Sequence, residues 1–247
     1  MNQKNNAAKR EERSHLLQYL KAHGILKFGD GPDLILDLGE QKIAIEHTRL
    51  FRDDTPKGSP EYHRESIEDQ IVDEAKMLYV ADKHYDLNVD VLFNSIVPIT
   101  QKKVSVLAQE LRNCVRELEP TVLLGNYGPF DWNTNHFLEN KIPNEINVLW
   151  IHKTTYNGDS WDTPDGGAVG ALQPSFIQLA LDKKEEKIHS YRLKGEKVWI
   201  LIVASGSKMS SYFDRDNSEF LEATYNSSAD AVFLLDCFSN KVHELHI

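Results

Sequence analysis

Asp33 and Glu46 are the residues whose types and spacing point most directly to chemistry. Asp33 follows Gly31-Pro32 and opens the apolar-rich run Leu34 to Leu38. Glu46 stands near the end of a second run, Lys42 to Arg49, and Gly39-Glu40-Gln41 separates the two. Two such runs about a short Gly-containing turn predict a β-hairpin. A hairpin brings the start of its first strand to the end of its second, so two carboxylates with twelve residues between them can share one site. Close carboxylates repel, and a divalent cation relieves that repulsion; oxygen ligands suit Mg²⁺ or Mn²⁺. A cation held there would activate water and steady a phosphate in the transition state. Along the second strand, the period of two puts Ile43 and Ile45 on one face and Ala44, Glu46 and Thr48 on the other. The same residues also have a purely structural reading. Asp33 would then be a turn residue bonded to its own backbone, with Glu46 and Thr48 on the solvent face of a half-covered strand.

The second informative stretch, residues 175 to 192, predicts a long helix with Ser175 after Pro174 as its N-cap. Ile177, Leu181, Ile188 and Tyr191 fall on one stripe, and Lys184 falls on the same stripe. A lysine there either snorkels outward or finds a carboxylate partner, because an unpaired buried charge is costly. Lys183, Glu185 and Glu186 read as solvated, with Lys187 at the edge of the stripe. Val198 to Ala204 is nearly all apolar, the pattern of a central strand covered on both faces.

Pro32-Asp33, then twelve residues, then Glu46-His47-Thr48 resembles the signature of the PD-(D/E)XK nuclease superfamily, in the variants where Thr replaces the motif lysine. More loosely, the helix through Lys184 to Tyr191 and the strand Val198 to Val203 resemble the helix-then-strand close of that nuclease core. The resemblance implies a restriction-endonuclease-like core that hydrolyses phosphodiesters of a nucleic acid, DNA or RNA. It implies Mg²⁺ or Mn²⁺ held by Asp33, Glu46 and the backbone carbonyl of His47. In some members of the superfamily a helix lysine projects into the site. Lys184 is the candidate for that role, placing the water or stabilising charge on phosphate, with Thr48 lending a hydroxyl hydrogen bond. By the same resemblance Glu12 on the first helix reaches the metal, whereas the run Lys9 to Arg13 reads plainly as a solvated face. The alternative function is a binding or regulatory module on the same scaffold without catalysis. Thr48 and the acidic net charge favour that alternative.

These residues must be positioned by a chain of 247 residues with net charge −10. The acidic balance opposes indiscriminate coating of nucleic acid, which draws on Lys and Arg. Apolar content of 40% and charged content of 27% are ordinary for a globular domain. No apolar run approaches the roughly twenty residues a membrane-spanning helix needs, and the N-terminus lacks an apolar signal core. Cys114 and Cys237 form no disulfide framework, and a cytoplasmic protein is the simplest account. The order of elements predicts one α/β domain over residues 1–247, a central mixed sheet flanked by helices, with about 50–165 as an elaboration of the core. Helices are expected over 7–23, 66–84, 104–118 and 218–224, and strands over 25–28, 88–96, 146–152, 231–235 and 241–247. Phe51 to Glu65 reads as a loop where Arg49, Arg52, Lys57, His63 and Arg64 could meet a phosphate backbone. Residues 119–144 and 154–167 read as irregular, the first with Tyr127, Phe130 and Trp132, the second with Asp159, Asp162 and Asp165 but no calcium-loop spacing.

Overall fold

The computed structural model describes residues 14–16, 18–19, 25–27, 31–55, 57–81, 86–121, 127–131, 142–154, 159–164, 169–206, 208–214 and 218–247. The chain divides into two compact units, Met1–Pro60 with Gly167–Ile247, and Glu61–Gly166. Both are α/β, with mixed sheets flanked by helices. The second unit covers most of the stretch read from sequence as an elaboration.

The first unit is built on β1 (Ile25–Lys27), β2 (Leu34–Asp37) and β3 (Lys42–Arg49), which pair antiparallel in sequence order. The turn between β2 and β3 closes with Gly39 at φ +85°, a backbone conformation glycine adopts without a Cβ clash. β8 (Lys197–Ala204) lies parallel to β3, β9 (Ala231–Asp236) lies parallel to β8, and β10 (Lys241–Leu245) closes the sheet antiparallel. The order β1-β2-β3-β8-β9-β10 therefore places β3 and β8 at the centre. Alternation sorts their side chains onto two covered faces. Ile43, Ile45, Leu201, Val203 and Leu235 pack with Leu16, from the helical residues 14–16 and 18–19, on one face. Ala44, Ile200, Ile202, Ala204 and Leu234 pack on the other face with Ile177, Leu181 and Ile188 of the long helix Pro174–Arg192. The apolar β8 run is thus covered on both sides, as its composition requires.

In the second unit, a four-stranded sheet has the order β5-β6-β4-β7, from β4 (Asp86–Phe93), β5 (Tyr127–Asp131), β6 (Ile146–Thr154) and β7 (Ser160–Asp162). Helices α1 (Pro60–Val80) and α2 (Val104–Leu118) bury Ile67, Ile71, Ala75, Leu107, Leu111, Cys114 and Leu118 in its core. In chain order the long helix Pro174–Arg192 is then α3 and Glu219–Glu222 is α4.

Several expectations need correction. α1 begins at Pro60, not at residue 66, because proline fits the first helical position, where an N–H has no partner anyway. His63 and Arg64 therefore lie on a helix of the second unit, not in a loop, and the Arg64 guanidinium donates to Glu68 and to the carbonyls of Asn94 and Val97. Two stretches read as irregular contain the edge strands β5 and β7. Asp159 lies in a loop, as read, just before β7, and accepts a hydrogen bond from the Leu87 N–H at 2.9 Å. The N-cap of α3 is Gln173 with Pro174 following it, not Ser175, and no side chain caps that end. Glu185 is not simply solvated; it accepts from the Ser228 N–H at 2.8 Å, and Lys183 pairs with Asp54. Glu12, Gly24, Trp132 and Asp165, and the side chains of Tyr127 and Phe130, lie outside the described residues. Among the described residues, no helix is long and apolar enough to cross a membrane.

Candidate active site

The antiparallel register of β2 on β3 ends with Leu34 opposite Ile45. One step further along that register, Asp33 comes opposite Glu46. The two carboxylates that the sequence places at the hairpin's open end do converge there, and the Tyr191 phenol feels the charge of both. The Asp33 carboxylate turns over the strand end and accepts the His47 N–H on Oδ2 at 2.8 Å. A strand residue's N–H and C=O point to the same neighbour. The His47 carbonyl therefore also faces the β2 side, past the end of the ladder, where Pro32 has no N–H to donate.

Glu46 is buried, and α3 covers it. Lys184 reaches down from that helix, and its Nζ lies 2.8 Å from Glu46 Oε1, with side-chain exposures of 19% and 6%. Of the two fates open to Lys184, the structure shows the carboxylate partner. Glu46 and Thr48 are correspondingly not the solvent face of a half-covered strand: Glu46 is enclosed, and Thr48 is half-buried two residues beyond it on the same face. Tyr191 lies seven residues after Lys184, two turns along the same stripe. It is the second side chain on Glu46: its hydroxyl is hydrogen-bonded to the carboxylate. Burial, then the charge of Glu46 and that hydrogen bond, then Asp33, hold the phenol above its ordinary range. Sequence reading counted Tyr191 only as core, although its shared stripe with Lys184 was the signal that it would point the same way.

Close packing fixes this helix to the hairpin. After α3, Gly195 passes so near β3 that a Cβ there would sit 2.6 Å from the Ala44 nitrogen. Lys194 donates to the Gly31 carbonyl, tying the same turn to the segment before Asp33.

On the opposite face, the His47 ring stacks on His15 with centroids 5.5 Å apart, and His47 Nε2 lies 3.3 Å from His15 Nδ1. Nothing local links residues 15 and 47, so this pair was not legible in the sequence. Burial first, then His15, Arg49 and Lys184, push the His47 imidazole down to about 3. The folded state holds it neutral, while the unfolded chain protonates near the ordinary histidine value. Stability from this group is therefore fully present above roughly pH 6.5 and declines as the pH falls towards 3, by at most about 1.4 kcal/mol per pH unit. We expect His47→Asn to flatten the fall of Tm between neutral pH and pH 4; an unchanged slope would place that dependence on other groups.

Two adjacent carboxylates and a backbone carbonyl are hard oxygen donors, and Mg²⁺ commonly takes one or two carboxylates while keeping waters. The donor set fits that ion. Asp33 and Glu46 would be the side-chain ligands; among the described residues, no three His, Cys, Asp or Glu side chains gather as a metal-holding group. Arg49 ends β3, and Arg52 and Lys57 follow it in the first unit; Lys57 is exposed and the two arginines are half-buried. No protein-family model, no curated protein and no solved structure matches the chain.

Proposed function

We propose that the chain is a metal-dependent nuclease of PD-(D/E)XK type, hydrolysing phosphodiesters of DNA or RNA. The observation that carries this reading is the Lys184–Glu46 contact, a cation delivered by a helix onto one of the two hairpin carboxylates, with Asp33 opposite Glu46 at the strand end. A bound Mg²⁺ or Mn²⁺ would neutralise the phosphate and lower the pKa of a water. Asp33, Glu46 and the His47 carbonyl would hold the ion. Lys184 orients the water or meets the developing charge on phosphate. Tyr191 holds Glu46 in place by its hydrogen bond, and Thr48 offers a hydroxyl at the edge of the site.

Calorimetry with Mn²⁺ on the wild type, Asp33→Ala and Glu46→Ala tests this, together with cleavage of DNA and RNA. We expect both substitutions to abolish binding and to lower cleavage at least about a hundredfold. Wild-type protein that binds no Mn²⁺, with or without nucleic acid, would sink the catalytic reading.

One observation favours the alternative of a nuclease-like module used for recognition. Glu46 already has both Lys184 and Tyr191 as partners, so its burial is compensated without an ion. That reading expects nucleic-acid binding that is indifferent to Mn²⁺ and unaccompanied by cleavage.

A further inference from the structure

A cavity of about 650 Å³ opens in the first unit at the carboxyl ends of β8 and β9. Parallel strands end on one edge of the sheet, so β3 also ends there, with Arg49 level with Val203, and Glu46 lies three residues back, level with Ile200. It is also the same face: Ala204 and Leu234, in the cavity wall, belong to the core cluster that includes Ala44 and α3. In open α/β sheets, ligands bind outside the carboxyl ends of the strands. β9 is two strands from β3, about 10 Å at the usual strand spacing, and Ala204 in the cavity wall lies four residues, about 13 Å, beyond the level of Glu46. A nucleic-acid strand with a phosphate at Glu46 covers that distance in a few nucleotides.

The wall and rim are chemically distinct. Leu172, Leu234 and Phe220 make an apolar floor. Phe238 stands at the mouth, 76% exposed, with Tyr212 edge-on to it at 6.4 Å. The turn that carries this exposed ring is held by hydrogen bonds. Asp236 accepts from the Phe238 and Ser239 N–H groups and from the Ser239 hydroxyl. Lys241 and His243 supply polar and basic groups on the same lining. A flat ring with hydrogen-bonding edges matches an aromatic wall over an apolar floor with a polar rim. A base paired within a duplex cannot enter such a recess.

We propose that this cavity holds an unpaired nucleobase of the strand whose phosphate lies at Glu46 and Lys184. The inference rests on the nuclease reading for its register, and its test separates the two. The probes are a short fluorescein-labelled single-stranded DNA oligonucleotide and its duplex, titrated in Ca²⁺ against the wild type, Phe238→Ala, Ser218→Trp and Lys184→Met. Phe238 and Ser218 are exposed, so neither change disturbs the core. The wild type should bind the single strand more tightly than the duplex. Phe238→Ala, and Ser218→Trp by filling the recess, should each weaken single-strand binding about tenfold and leave Mn²⁺ affinity unchanged. Equal affinity for both probes, no effect of either cavity variant, or no binding by the wild type overturns the base site. A wild type that cleaves nothing but binds the single strand through Phe238, with Lys184→Met binding equally, removes the nuclease reading and keeps the base site. Cleavage that survives Phe238→Ala at unaltered affinity does the reverse.

Discussion

Lys184→Met should abolish metal-dependent cleavage and lower stability, and Mn²⁺ should then raise the variant's Tm by more than it raises the wild type's. The loss follows from the ion pair at 2.8 Å. Removing one partner of a fully buried pair costs about 3–5 kcal/mol; here the lysine still meets water, so a loss of about 2 kcal/mol is expected. At this chain length that is a fall of roughly 6 °C in Tm. The Mn²⁺ effect follows from what remains. Asp33 and Glu46 would lie side by side, with the Tyr191 hydroxyl still on Glu46 and the His47 N–H still on Asp33, and a cation that binds only the folded state stabilises by mass action. A purely structural salt bridge predicts the destabilisation without the gain from Mn²⁺. Thermal melts with and without Mn²⁺, paired with cleavage assays, separate these outcomes. Full cleavage by the variant would remove Lys184 from the catalytic set.

Gly195→Ala should lower stability by about 3 kcal/mol, at the upper end for overpacking by one methyl. The added Cβ would meet the Ala44 nitrogen at 2.6 Å, the Ala44 Cβ at 3.0 Å and the Ile43 carbon at 3.2 Å. Two of those are backbone atoms of a central strand and the Ala44 Cβ is fixed to that backbone, so none can swing aside as the end of a flexible side chain would. Relief requires the turn after α3 and β3 to separate. Lys184 and Tyr191 ride on that helix, and Ala44 is two residues from Glu46, so cleavage should fall along with stability. Urea unfolding measures the first effect. A variant as stable as the wild type would mean the turn yields without moving α3.

The elements that position the site were largely readable from local pattern. The hairpin follows from two apolar runs about Gly39, and α2 carries a regular buried stripe through Leu107, Leu111, Cys114 and Leu118. β8 is apolar because two layers cover it. The misses have physical causes. Pro129 lies within β5, and proline weakens the signal of a strand, yet an edge position tolerates it. β7 is three residues long and exists through its pairing with β4, distant in sequence. The boundary of α1 moved because proline opens a helix as readily as it ends a loop.

The sequence by itself determined the α/β class, the hairpin with Asp33 at its mouth and Glu46 near its end, and the helix stripe that contains Lys184 and Tyr191. These depend on spacings of two and of three to four residues, which the chain carries locally. Only the tertiary structure decided what those residues meet. The parallel pairing of β3 with β8 and the cover of α3 turned Glu46 from a possible solvent position into a buried carboxylate. The same packing settled Lys184 as its partner, added Tyr191, and set His15 against His47 across a sequence separation of 32. Such contacts join segments that no local period relates, and which of them form depends on how two layers close over one sheet.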